Sequence, residues 1–331
     1  MEICMSAYCL AASGSRQDRS AEIEDMLQRN SICWLGSGEF YVSGVTMPEH
    51  SSIHGMGSAT KLILMEEVQD GAAINMGSFC SVQDLHVTGA PEDLEISETV
   101  GKRHGIAFAG NAIPEDRFID PAAGIISNCL ITNFAGGGLF FLNTGYNDRC
   151  STTVTNCQIL CCGAGINIAH FSEYHKFTNV TCHHCLYGCI NNGGNNMFVN
   201  CGFTSNVTGF LMDNSLGRSK NNSHGSVVGC TFNHSDKNEG IGIQILNVKN
   251  GYVFTGCQMF YSKIVVEDAP GIVIDSFNFG RGMDISVKGE SFVSFSNSVF
   301  ASQPATVAVT DGAKVKFSNC HTFFGEVVKE A

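Results

Sequence analysis

Two different phrases recur in the same order and at one spacing near the middle of this chain, and that periodicity constrains the fold more than any other feature. Asn179-Val-Thr-Cys182 returns as Asn200-Cys-Gly-Phe203, and Gly188-Cys-Ile-Asn191 returns as Gly209-Phe-Leu-Met212, both after 21 residues. Looser copies surround them. The glycine phrase recurs at Gly105-Ile-Ala-Phe108, Gly138-Leu-Phe-Phe141, Gly165-Ile-Asn-Ile168 and Gly242-Ile-Gln-Ile245. A turn residue before an inward position recurs at Asn128-Cys129, Asn156-Cys157, Gly229-Cys230 and Gly256-Cys257, with echoes at Asp275-Ser276, Asn297-Ser298 and Asn319-Cys320. Steps of about 20 to 29 residues, with short strands set off by Gly, Asn and Ser and no leucine framework, predict a β solenoid. The expected fold is all-β: a right-handed, single-stranded parallel β-helix of roughly ten coils, each strand pairing with its equivalents about 4.8 Å above and below.

A solenoid also accommodates 331 residues in one body, because it grows in one dimension where a compact core of that length would split. We expect residues 1–65 to form an N-terminal cap and first coils, and residues 66–331 to form the β-helix, continuous with the cap as one domain. Within the cap, residues 20–29 (SAEIEDMLQR) predict a short amphipathic helix with Ser20 as N-cap and Ile23, Met26 and Leu27 on one face. A strand pair divided by a Gly-Ser-Gly turn follows it, at residues 32–35 and 40–42. Many of the 16 cysteines fall at one repeat position rather than in complementary pairs, so they read as small, reduced core residues.

A formal charge of −12 argues against a protein that tracks nucleic-acid phosphates, which needs clustered Lys and Arg. The opening MEICMSAYCLAASGS carries an acidic residue and no basic region, and no apolar run reaches about 18 residues. Neither a signal peptide nor membrane insertion is expected.

The opening 9–27 segment, then Trp34-Leu-Gly-Ser-Gly-Glu-Phe-Tyr41, Val45-Thr-Met-Pro48 and Ile53-His-Gly-Met-Gly57, resembles the start of the pectate-lyase-like β-helix superfamily. More narrowly, the chain resembles β-helical tail spike and tail appendage proteins of bacteriophages and prophages. That resemblance implies synthesis in the bacterial cytoplasm, a place on the virion tail or release outside the cell, a homotrimer, and a bacterial surface polysaccharide as partner. A polysaccharide-degrading hydrolase or lyase of the same superfamily is the alternative it implies. The Asn-Thr-Asp, Asp-Asp, Gly-His-Gly and Arg-Ile-Lys signatures of the polygalacturonase-type members are missing, so no catalytic residue carries over from them.

Turns that follow the glycine-phrase strands should share one edge of the solenoid. They are residues 143–149, 170–174, 192–196, 213–222 and 247–250, and they carry a polar strip. Glu173, Asp213 and Asp148 are its candidate catalytic carboxylates, since stacking does not require them. Glycoside hydrolysis needs two carboxyl groups about 5 Å apart for retention or about 6.5 to 9.5 Å for inversion, and coil steps make either reachable. Arg149, Tyr174, His175, Asn192, Asn195, Asn196, Asn214, Asn222 and His224 are candidate sugar ligands, because amide and carboxylate groups bind hydroxyls in pairs. Each Asn is equally what a β-helix turn uses. His224 and His234 bind ligand or hydrogen-bond loop carbonyls. His183 and His184 between Cys182 and Cys185 suggest zinc, but strand alternation sends Cys182 and His184 to one side and His183 and Cys185 to the other, so the four do not gather round one ion and neither a metal nor another cofactor is expected.

Overall fold

The computed structural model describes residues 8–89, 99–109, 123–144, 151–169, 171–215, 224–234, 240–281, 283–301, 306–322 and 328–330. Its strands pair in parallel throughout, in a 23-stranded and a 12-stranded sheet that wind into a right-handed parallel β-helix. The twelve-stranded sheet is in keeping with the roughly ten coils expected. One coil shows the plan: strands Lys176–Thr178, Thr181–His183 and Tyr187–Asn191 make three sides, and each pairs with its counterpart on the next coil. The 21-residue step is the register itself, with Cys182 beside Phe203 and Cys189 beside Phe210.

At the corner between the first and second strand of each coil one residue takes the left-handed conformation. Asp84, Asn128, Asn156, Asn179, Asn200, Ser276, Asn297 and Asn319 all sit there at φ between 48 and 56°, and Gly229 and Gly256 at 64 and 63°. An L-residue pays about 1–2 kcal/mol for that conformation, which Asn and Asp offset by local hydrogen bonding and Gly avoids. The side chains form a ladder: Asn128 Nδ2 donates to Asp84 Oδ1 at 3.0 Å, Asn179 to Asn156 at 2.8 Å, and Asn319 to Asn297 at 2.8 Å. At the Asp275-Ser276 echo the register lies one residue later than the sequence reading placed it. Ser276 makes the corner, and Phe277 is the inward residue.

The residue after the corner faces the core and explains the cysteines. Cys230 receives the Cys201 N–H at 3.2 Å, and its thiol donates to the Val228 carbonyl at 3.5 Å; Cys257 does the same for Cys230 and Thr255. These thiols are free and buried, so they act as acceptors for a corner N–H as well as apolar filler. Ser298 fills the same role where the repeat drops Cys, taking the Phe277 N–H at 3.1 Å. Aromatic rings complete the interior, as in the Phe177–Phe198 stack at 4.8 Å and the Phe279–Phe300 stack at 4.7 Å. The phrase glycines exist because neighbouring coils approach too closely for a side chain: a Cβ on Gly188 would lie 2.5 Å from the Gly209 carbonyl oxygen.

The cap differs in two details from the sequence reading. The helix spans Ser20–Asn30 and buries Ile23 and Leu27, but Ser20 is its first helical residue, not its cap. Arg19 is the N-cap residue, without a side-chain cap bond, and Asp18 before it accepts from the Ser20 N–H at 2.9 Å and the Ser43 hydroxyl at 2.6 Å. Ile32–Leu35 and Gly38–Val42 do not pair with each other; both lie parallel to the long strand Ser52–Leu64, as consecutive sides of one coil. Cys9–Leu10 adds an edge strand that the sequence reading missed. No helix among the described residues is long and apolar enough to cross a membrane.

Cys230→Val should lower stability by about 1–3 kcal/mol, because the Cys201 N–H loses its acceptor inside the core. Cys230→Ser keeps that acceptor and should lose less. Urea denaturation of the two variants checks the order.

Candidate functional site

The edge after the third strand of each coil carries the predicted strip. Three successive turns are tied together there, following strands Ala164–Ile168, Tyr187–Asn191 and Thr208–Asp213. Glu173, on the first, is 7% exposed and accepts a hydrogen bond from Asn195 Nδ2 on the second at 3.0 Å. Burial pushes its carboxyl up to about 7, against the smaller opposing effect of Asn195. Asn192 Oδ1 in turn accepts the Asp213 N–H of the third turn at 3.0 Å. Asp213 Oδ1 accepts from Ser215 through its N–H, at 2.8 Å, and its hydroxyl. Asn247 Nδ2 continues the run to a fourth turn, donating to the Ser215 hydroxyl at 2.9 Å.

The backbone around Glu173 is clamped from the next coil. Asn196 donates through Nδ2 to the Ser172 carbonyl at 3.2 Å and accepts the His175 N–H at 2.9 Å, so one amide holds the chain on both sides of the glutamate. Gly193 permits this approach: a Cβ there would stand 1.8 Å from the Ser172 oxygen. Phe171 and Tyr174, at φ 56 and 63°, supply the bends that turn Glu173 back toward the coil.

Two candidate ligands move out of the strip. His175 and Asn196 are fully buried, so neither is presented to solvent as the sequence reading expected. They belong to a polar chain inside the core. The Thr152 N–H donates to His175 Nδ1 at 3.3 Å, which places the imidazole proton on Nε2, facing Thr144 Oγ1 at 2.9 Å. Burial pushes the His175 pKa down to about 3, and the ring is neutral. Asn196 reaches Asn191 Oδ1 at 3.0 Å, and Asn191 Nδ2 donates to the Tyr252 hydroxyl at 3.1 Å. Asn191 was missed, although its signal was legible: it occupies the inward slot that Ile168 fills one coil earlier.

Tyr174, Asn192, Asn195, Asp213, Asn214 and His224 are half-buried along the edge. Asp148, Arg149 and Asn222 lie outside the described residues. His183 and His184 sit outside the core with their Nδ1 atoms 2.9 Å apart, while Cys182 and Cys185 are buried. Among the described residues no cluster of three or more His, Cys, Asp or Glu could hold a metal ion.

The chain matches no protein-family model and no curated protein sequence. Its fold matches solved structures. The A-module of the mannuronan C-5 epimerase AlgE4 of Azotobacter vinelandii superposes with a TM-score of 0.59 at 11% identity, covering 94% of this chain and 96% of that one. The tailspike protein of E. coli bacteriophage HK620 superposes at 0.58 and 10% identity, covering 93% and 62%. Tailspike protein 2 of an Escherichia coli O157:H7 bacteriophage matches at 0.46 and 18% identity, over 92% of this chain; the chain spans only 37% of that full-length protein. The likeness is one of fold, the right-handed parallel β-helix.

Glu173 and His175 should give opposite pH signatures. A carboxyl raised from 4.5 to about 7 contributes stability that is full below pH 4.5 and lost as pH rises toward 7. A histidine lowered from 6.5 to about 3 contributes stability that is full above pH 6.5 and lost as pH falls toward 3. Glu173→Gln removes only the first. Its stability relative to the parent should therefore climb between pH 4.5 and 7, by at most about 1.4 kcal/mol per pH unit, in denaturation midpoints taken across that window.

Proposed function

We propose that this chain is the β-helical body of a tailspike-type protein that binds a bacterial surface polysaccharide along the turns carrying Glu173, Asn192, Asn195 and Asp213. The observation that carries this reading is the ladder of carboxylate and amide groups across three consecutive turns, Glu173 to Asn195 and Asn192 to Asp213. A repeating polymer is matched by side chains that repeat at the coil rise of about 4.8 Å. Each amide has two donor hydrogens and two acceptor lone pairs, so the bonds within the ladder leave capacity for sugar hydroxyls. Tyr174, Asn214 and His224 extend the same edge, and Asp148, Arg149 and Asn222 are further candidates on the sequence alone. A homotrimer on a virion tail, without membrane insertion or nucleic-acid contact, completes the proposal.

One observation favours a second reading, glycoside hydrolysis. A carboxyl pushed up to about 7 keeps its proton near neutrality, which suits a general acid. Asp213 stands two coils further along the solenoid, an axial rise of about 9.5 Å, and so supplies a second carboxyl group on the same edge, as glycoside hydrolysis requires. Glu173 would protonate the departing glycosidic oxygen, and Asp213 would draw the proton from an attacking water.

Capture of bacterial cells by the purified chain tests binding. Asn192→Ala and Asn195→Ala should each weaken it roughly tenfold, and sedimentation should report a trimer. A monomer that captures no cells or cell-wall glycans overturns the reading. For hydrolysis, release of reducing ends from a glycan panel should fall at least about a hundredfold in Glu173→Gln while binding persists; full activity in that variant rules Glu173 out as the acid.

A further inference from the structure

A cleft of about 440 Å³ lies on a different side of the solenoid, over the second strands of the first coils. Its floor is made of outward side chains in register. Glu39, Lys61 and His86 form one column; Tyr41, Ile63, Thr88 and Thr132 form the other. Four coils therefore contribute, and three coil steps give a length of roughly 14 Å, enough for about two or three pyranose rings.

The floor has fixed polarity. Thr132 donates its hydroxyl proton to Thr88 at 3.0 Å, so His86 Nε2, 2.9 Å from Thr132, must be the donor in that contact. The Thr88 proton is engaged in neither bond and can serve a ligand oxygen. Burial lowers the His86 pKa, with Lys61 adding to the effect, which keeps the ring neutral. Charges on the floor face each other: Lys61 pairs with Glu39 at 3.7 Å, and the Tyr41 hydroxyl donates to Glu39 at 3.0 Å. Ile63 and the body of Tyr41 supply apolar surface.

The walls are held from outside the cleft. Arg103 Nη2, from the neighbouring sheet, donates to the Met65 carbonyl at 3.1 Å and to the Gly89 carbonyl at 2.6 Å. That pins the turn carrying Met65, Glu66 and Glu67 beside the floor, so the cleft is preformed. Arg16, 5.9 Å above the Tyr41 ring, and Glu66 and Glu67 line the cleft as well, so charges of both signs are mixed there and favour neither an anion nor a cation; the hydroxyl and imidazole groups and the Ile63 side match a ligand rich in hydroxyls.

We propose that this cleft is a second carbohydrate-binding site, taking a short neutral oligosaccharide across the coils of Tyr41, Thr88 and Thr132. It stands on contacts separate from the Glu173 strip and holds whether or not that strip binds glycan. NMR titration of the full chain with maltotriose, cellotriose and tri-N-acetylchitotriose tests it. At least one should bind with Kd on the order of 1 mM and shift the His86 imidazole resonances. Thr88→Val and Tyr41→Ala should weaken that binding roughly tenfold with unchanged thermal unfolding, while Glu173→Gln retains it. Absence of binding by all three sugars, binding undiminished in a folded Thr88→Val chain, or its loss in Glu173→Gln each overturns the proposal. Cell capture by Thr88→Val reports on the strip separately.

Discussion

The structure depends on one recurring contact, the meeting of a left-handed corner on one coil with an acceptor on the next. No coil of a parallel β-helix satisfies its own backbone; each N–H and C=O finds its partner above or below. Strand pairing does this along the sides, but at the corner the peptide turns inward and its N–H leaves the ladder. The inward thiols of Cys230 and Cys257, the hydroxyl of Ser298 and the amide of Asn206 recover that bond, the last by accepting the Cys185 N–H at 2.9 Å. Corner and acceptor together fix the register, and a slip of one residue would put Phe203 or Cys182 into water.

The buried polar chain of Thr144, His175, Asn196, Asn191 and Tyr252 departs from this economy of small acceptors. Each of these groups must be hydrogen-bonded to stay buried without a large penalty, and a network of this kind rigidifies its surroundings only when fully satisfied. Its position is informative. It lies directly behind the turn of Glu173, and Asn196 is both a member of the network and the clamp on that turn. The polar groups hold one irregular segment of backbone in place where a regular coil would need no such support.

How much of this was legible follows from which features repeat. The coil was readable because Asn179, Asn200 and their relatives recur with the glycine phrase, and a periodic fold writes its register into the sequence. The edge holding Glu173, Asn195, Asn192 and Asp213 followed from that register. The orientations of His175 and Asn196 did not. Polar residues in a turn are expected to face solvent, but a turn has no two-residue alternation to say which way a side chain points, and Phe171 and Tyr174 take left-handed bends there. Asn191 was the available warning, a polar residue in the column of Ile168. The helix start escaped for a related reason: Asp18 bonds both Ser20 and Ser43, and the second partner is distant in sequence.

One turn therefore carries two titratable groups whose charged forms are disfavoured, an acid that holds its proton up to about pH 7 and a base that stays neutral down to about pH 3. Both follow from burial, which disfavours charge whichever sign it has. The tautomer of His175 is set as well, because the Thr152 N–H occupies Nδ1; a second proton would place two donors head to head inside the core. Glu173 differs in being held by a single amide at the rim, close enough to water for its proton to exchange. Of the two, only the glutamate combines a shifted proton affinity with access to the edge, and that combination separates a group able to act on a ligand from one that supports the scaffold.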